Sequence, residues 1–311
     1  MGVYAVSGVR FRKAVFLLGT VALCLWASTW GIIPMAVCDV VSYFCGRLIH
    51  RFADKKGLKR LWLILSVAVN MAVLLVFIRS GHSSYDVTSI FTGKGAMLKL
   101  FPVWGAGVFT LHGISYCMDI YREEIELEKN FLLVSQYICF FPCFYCGPIL
   151  RFSDISEQLR KPVITSGKLA EGIKLMLIGF AEKLFLSDPM YEMWQHIRGV
   201  SADSLSAACA WLGIIAFSFA FYYELRAYSH IAQGIGSMLG FELPDNFDLP
   251  FMSAGFNELI KRFACTFYSW VRDYFYRPIC RSKDSVCLWA LILSVLAGSV
   301  WYGYGRHTML W

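Results

Sequence analysis

Long apolar runs separated by short polar links fill most of the chain. The runs are Ala14–Pro34, Met35–Ile49, Leu61–Ile78, Met97–Met118, Phe131–Ile149, Leu205–Tyr223 and Val286–Tyr304, with a mixed stretch at Gly172–Leu186. A helix needs roughly 20 mainly apolar residues to cross a hydrocarbon core of about 30 Å. Several runs reach that length, which predicts an all-α bundle of about seven to nine membrane helices. Met35–Ile49 is short for a span and carries Asp39, so it is expected to tilt or to pack behind a neighbour. Pro142, Gly147 and Pro148 interrupt Phe131–Ile149. Backbone that is not helical survives at membrane depth when it is buried in protein or lines a cavity, so a re-entrant segment is expected there.

Composition agrees with this pattern. With 57% hydrophobic and 16% charged residues and a mean hydropathy of +0.54, the chain has too few polar side chains to cover a water-soluble globule. The links Arg79–Lys94, Asp119–Asn130, Arg151–Glu171, His196–Ser204 and Arg277–Ser285 are too small to fold separately. No internal repeat stands out, and one membrane domain over 13–311 follows a stub at 1–12. The first run is long and lacks a small-residue cleavage site, which marks a retained anchor rather than a signal peptide.

Charge adds an orientation. The link from His50 to Arg60 is rich in Lys and Arg, and the positive-inside rule puts it and the basic N-terminus in the cytoplasm of a plasma-membrane protein. The net charge of +7 suits anionic lipid head groups and calls for no nucleic acid. The 11 cysteines fall mostly inside apolar runs, where a thiol acts as a small hydrophobe. Cys139, Cys143 and Cys146 would share one face of a helix, but no suitably close His completes a metal set, so no metal is expected.

The stretch Glu224–Tyr276 interleaves ionisable and aromatic residues. Charged groups at membrane depth cost free energy unless paired or hydrated, which makes this stretch the candidate site. His230 is a candidate base oriented by Glu224, in the way a carboxylate orients a catalytic imidazole. The competing reading is a buried ion network of Glu224, Arg226 and His230 that satisfies only itself. Arg262, Arg272 and Asp273 could bind an anionic carrier, or anchor helices to head groups. Trp270, Tyr274 and Tyr276 read first as an aromatic belt.

Several ordered blocks carry a resemblance. They are Ile114-Ser115-Tyr116-x-x-Asp119-Ile120-Tyr121-Arg122, then Phe141-Pro142 to Gly147-Pro148-Ile149-x-Arg151-Phe152-Ser153-Asp154, then Gly179-Phe180-x-x-Lys183 with Asp188. Tyr228-Ser229-x-Ile231-Ala232-x-Gly234, Leu243-Pro244-x-Asn246-Phe247 and Ser269-Trp270-x-Arg272-Asp273-Tyr274-x-Tyr276-x-Pro278 complete the set. Together they resemble the membrane-bound O-acyltransferase family, in its alginate O-acetyltransferase and D-alanyl-transfer branch. The resemblance implies a bundle with re-entrant and interfacial helices, crossed by an acyl tunnel. Tyr228, Ser229, Asn246, Arg262, Trp270, Arg272, Asp273 and Trp301 match substrate or tunnel positions. It further implies acyl transfer to hydroxyls of an extracytoplasmic polysaccharide from a cytoplasmic thioester donor or carrier, with a periplasmic acyl-transfer partner and no bound cofactor.

The departures concern proton removal. Ala264 and Tyr302 stand where the family carries His, in Leu259-Ile260-Lys261-Arg262-Phe263-Ala264 and Val300-Trp301-Tyr302-Gly303. Both acidic positions of another family block are replaced in Glu224-Leu225-Arg226-Ala227-Tyr228-Ser229-His230. The chain also begins after the family's first helix and stops within the His-bearing one, so the fold is expected to be shortened at both ends. Imidazole, with pKa about 6.5, can take a hydroxyl proton near neutral pH, and alanine cannot. A tyrosine phenol would have to be lowered by about 3 pH units, roughly 4 kcal/mol, to match it. The sequence therefore predicts an impaired O-acyltransferase or, in another class, a non-catalytic membrane scaffold or decaying copy. A transporter is disfavoured, because no paired repeats are evident. His307 lies off the family's His position.

Overall fold

The computed structural model describes residues 9–27, 31–79 and 105–280. Among these, every regular element is helical. The order is α1 (Val9–Ala27), α2 (Ile32–Arg51), α3 (Lys56–Arg79), α4 (Ala106–Arg122), α5 (Phe131–Ile138), α6 (Phe152–Arg160), α7 (Ser166–Ala181), α8 (Asp188–Arg198), α9 (Ala207–Met238), α10 (Phe256–Arg262), α11 (Cys265–Val271) and α12 (Arg277–Ile279). Three of the described helices, Ile32–Arg51, Lys56–Val76 and Ala207–Met238, are long and apolar enough to cross a membrane.

Several boundaries differ from the hydrophobic pattern. The run Ala14–Pro34 is split, because α1 ends at Ala27 and Pro34 lies in the first turn of α2, where a proline costs no intrahelical bond. Met35–Ile49 extends at both ends into the full-length α2. Asp39 is 8% exposed there, but Ile33 and Phe44 are 53% and 56% exposed, so the helix buries its acid on one side and presents an apolar face on the other. Phe131–Ile149 is α-helical for its first eight residues only, with a single 3-10 turn following at Phe141–Cys143. Gly172–Leu186 belongs to a longer helical rod, α7 running through a π-turn at Glu182–Ser187 into α8. Leu205–Tyr223 continues as α9 for 32 residues, straight through Glu224, Arg226 and His230. Of Met97–Met118, the part from Ala106 onward is described and is helical. Val286–Tyr304 lies outside the described residues.

Polar contacts gather chain ends on one face. Lys59 meets Glu123 at 2.6 Å and Arg160 meets Glu128 at 2.8 Å. Tyr43 Oη donates to Lys129 O at 2.9 Å, and Lys168 pairs with Glu242 at 2.9 Å. The end of α4, both ends of the α5–α6 hairpin, the start of α7 and the end of α9 therefore share that face with the basic link after α2. The hairpin enters and leaves on the same side, so it is re-entrant. Its core is Tyr137, Phe140, Leu150 and Phe152, each no more than 2% exposed, packed with Phe16 of α1 and Phe241.

The α7–α8 rod and α9 each span about 48–50 Å at about 1.5 Å per residue. They touch backbone to backbone. A Cβ at Gly172 would lie 2.6 Å from Gly234 O, one at Gly234 would lie 2.6 Å from Gly172 O, and one at Gly179 would lie 2.6 Å from Ala227 O. Small residues at such crossings let apolar helices approach closely, which is the main source of helix affinity in lipid.

Candidate functional site

Three polar assemblies interrupt the apolar bundle. The first lies where the re-entrant hairpin turns. α5 stops at Ile138, and a tight turn through Pro142 leads to residues 148–151, which form no regular element. Irregular backbone there needs partners from other helices, because an unmet amide in an apolar setting costs about 1–3 kcal/mol. Thr266 Oγ1 accepts from Ile149 N at 3.0 Å, and His112 Nε2 accepts from Leu150 N at 3.2 Å. Tyr137 Oη donates to Leu150 O at 3.0 Å. Since Nε2 of His112 accepts, its proton sits on Nδ1 and is donated to Tyr137 O at 3.1 Å. Thr266 Oγ1 in turn donates to Asn246 Oδ1 at 2.6 Å. Asn246, expected at the tunnel, is thus brought to the turn. His112, Tyr137 and Thr266 were not singled out by the sequence.

Ala264 lies beside this assembly, two residues before Thr266. It joins α10 to α11 in the left-handed region, at φ +51°. Flanking bonds hold the break, with Cys265 N donating to Asn246 O at 2.7 Å and Asp248 N to Arg262 O at 3.0 Å. Phe263 anchors it in an aromatic cluster with Phe221, Tyr222 and Phe247. Among residues other than glycine, this conformation favours Asn, Asp and His. At 264 the side chain is a methyl group, with no atom to accept a proton. Tyr302, Trp301 and His307 lie outside the described residues.

The second assembly sits near the middle of α9 and of the α7–α8 rod. Glu182 pairs with His230 Nδ1 at 2.7 Å and with Arg226 Nε at 3.3 Å. Lys183 pairs with Glu224 at 2.8 Å and with Asp188, and Ser187 Oγ donates to Glu224 at 2.8 Å. The expected pairing of Glu224 with His230 is corrected. The two are six residues apart on one helix, and each turns to a different partner on the facing rod. The π-turn makes this possible by admitting an extra residue, which aims Glu182 and Lys183 together at α9. Tyr228 contacts Tyr145 edge to face with ring centroids 4.2 Å apart, and Ser229 is buried with no partner for its hydroxyl among the described residues.

The third assembly surrounds Asp273 on the face where chain ends gather. Its carboxylate accepts from Arg151 and from Arg272 Nε at 2.9 Å, and it pairs with Arg277 Nη1 at 2.9 Å. Arg122 donates to Asp273 O at 2.8 Å, and Tyr274 Oη donates to Asp119 at 2.7 Å. Burial pushes the Asp273 carboxyl up, but the hydrogen bonds from Arg272 and Arg151 outweigh it and hold the group below the ordinary carboxylate range. Arg272 and Asp273 are thus together, whereas Arg262 lies apart, paired with Glu258 at 2.7 Å. Trp270 and Tyr274 do not form an aromatic belt. They are 2% and 5% exposed and pack on Leu111 and Ile114 of α4.

Cys139, Cys143 and Cys146 lie beyond the end of α5, in the turn, so they share no helix face. Among the described residues no group of three His, Cys, Asp or Glu is placed to hold a metal.

Comparison with known proteins matches residues 22–311 to the model of the membrane-bound O-acyltransferase family. The chain is 28% identical to the probable alginate O-acetylase of Pseudomonas aeruginosa, over all of this chain and 61% of that protein. It is 26% identical to the peptidoglycan O-acetyltransferase of Helicobacter pylori, over 90% of this chain and 58% of that protein. It is 23% identical to the teichoic acid D-alanyltransferase of Lacticaseibacillus rhamnosus, over 89% of this chain and 68% of that protein. The chain thus spans about three fifths of the length of the alginate O-acetylase.

Proposed function

Because this chain belongs to the membrane-bound O-acyltransferase family, we propose that it is an O-acyltransferase of low turnover that acylates hydroxyls of an extracytoplasmic polysaccharide. The acyl group comes from a cytoplasmic thioester donor and reaches the polymer through the bundle, with a periplasmic partner completing the transfer. The protein is a multi-pass plasma-membrane protein, with the face that carries Lys59, Lys168 and Arg160 in the cytoplasm. This orientation rests on the basic side chains gathered there.

One observation carries the low turnover. Ala264 occupies a strained break beside the buried Asn246–Thr266 pair, and its methyl group cannot accept a proton. Losing a positioned base costs about 10² to 10⁴ in rate. The same observation favours a second reading, a membrane scaffold that keeps the fold and a partner surface without transfer.

The test is ester content of secreted polysaccharide in cells that lack their own acyltransferase. The unmodified chain should give a small signal above empty membranes, and A264H/Y302H should raise it by about 10²-fold or more. Ester at the level given by a His-bearing relative would overturn the impairment. No ester above background from either form would leave the scaffold.

A further inference from the structure

Among the described residues, the guanidiniums gathered at Asp273 outnumber the carboxylates that touch them. Arg151, Arg272 and Arg277 converge on one carboxylate, and Arg122 adds a fourth guanidinium on the same residue's carbonyl. Each guanidinium presents about five N–H donors, against about four lone-pair sites on a carboxylate. Most of these donors therefore have no acceptor in Asp273. Two other acids act on the cluster without touching its guanidiniums, Asp119 on Arg122 and Arg151 and Asp154 on Arg151. Asp119 accepts from the Tyr274 phenol, and Glu124, 58% exposed, stands 3.9 Å from Arg122. Among direct contacts, three guanidiniums on one carboxylate leave two positive charges unmatched, which Asp119 and Asp154 offset from a distance.

The arrangement is fixed yet open. Arg122 and Arg151 lie over the ring of the buried Tyr274, with their guanidinium carbons 5.4 and 5.9 Å from its centroid, so the inner half of the cluster is held by packing. The outer half reaches solvent, with the side chains of Arg272 and Arg277 42% and 64% exposed. Planar forks set around a shared centre match the oxygens of a phosphate better than a lone carboxylate, and a phosphate monoester carries close to two negative charges at neutral pH.

From this geometry we infer that Arg122, Arg151, Arg272 and Arg277 form a phosphate-monoester site on the face of the bundle where the re-entrant hairpin opens. Asp273 holds the forks in place, and the ligand supplies the missing negative charge. The site does not depend on the acyl-transfer reading, because it concerns binding alone. Its ligand is the terminal phosphate of a soluble compound or the headgroup of a lipid such as phosphatidic acid.

The test uses the full chain in phosphatidylcholine nanodiscs, with inorganic phosphate as the soluble probe and nanodiscs doped with phosphatidic acid as the lipid probe. Thermal midpoint against probe concentration gives the affinity in each arm. At least one probe should raise the midpoint, and R272Q/R277Q should weaken that binding about ten- to a hundredfold. R277Q alone changes a side chain that is 64% exposed, and should weaken it by a smaller factor. Response to phosphate alone assigns a soluble ligand, and response to phosphatidic acid alone assigns a headgroup. No response to either probe, or equal responses from the unmodified chain and both variants, overturns the site.

Discussion

The two charged assemblies solve opposite problems. Near the middle of α9, three acids (Glu182, Asp188, Glu224) face two fixed cations (Lys183, Arg226) and one imidazole, and each group has a named partner. At the face, three guanidiniums crowd one carboxylate. The difference follows depth. Far from water an unpaired charge is expensive, so the inner set is matched nearly one to one. Near head groups a surplus is tolerated, since solvent and anions share the cost.

Breaking the inner set should cost most. E182L leaves Arg226 without its acid and should destabilise by about 3 kcal/mol, the low end for a buried pair because Arg226 keeps some exposure. E182L/R226L should recover much of that loss, a non-additivity that thermal unfolding of the four forms would measure. If the double variant is no better than E182L, the matching of charges is not what stabilises the site.

H112F probes depth without charge. It removes the acceptor for Leu150 N and should cost about 1–3 kcal/mol by the same measurement. A cost near zero would mean that the segment at 148–151 finds another partner.

The face should respond mainly to pH. Because the folded Asp273 lies below its unfolded value of about 3.9, its contribution is complete above that value and is lost as pH falls through the folded one. D273N should therefore flatten the acid limb of the stability profile, and at neutral pH it should cost about 1–2 kcal/mol, because the carboxylate is buried while Arg272 and Arg277 reach solvent. An unchanged acid limb would place the titration elsewhere. R277A, at an exposed position, should stay within about 0.5 kcal/mol, and a larger loss would mean that the surplus charge is structural.

Much of this was legible beforehand, and the failures have physical causes. Hydrophobic length located α2 and α3, and Pro142, Gly147 and Pro148 marked the re-entrant turn. The pattern stopped α9 at Tyr223 because Glu224 and Arg226 look too polar for a span. Their neutralising partners, Lys183 and Glu182, lie some forty residues earlier in the chain. Glu182 was missed altogether, because regular helical periodicity does not anticipate a π-turn. Ala264 was flagged by its family position, but its left-handed backbone could not be read from the residue itself.

The glycine contacts between α7 and α9 have a consequence for how such a protein tolerates change. Gly172 and Gly179, like Ala227 and Gly234, stand seven residues apart, and the paired positions meet across the crossing. Sliding either rod by one turn would drive a side chain into a carbonyl, so the crossing works as a detent. The connection at 199–206 is then free of any duty to set alignment. Insertions or deletions there should be accommodated, whereas a single residue gained or lost between Gly172 and Glu182 should scramble the ionic partnerships between the rod and α9.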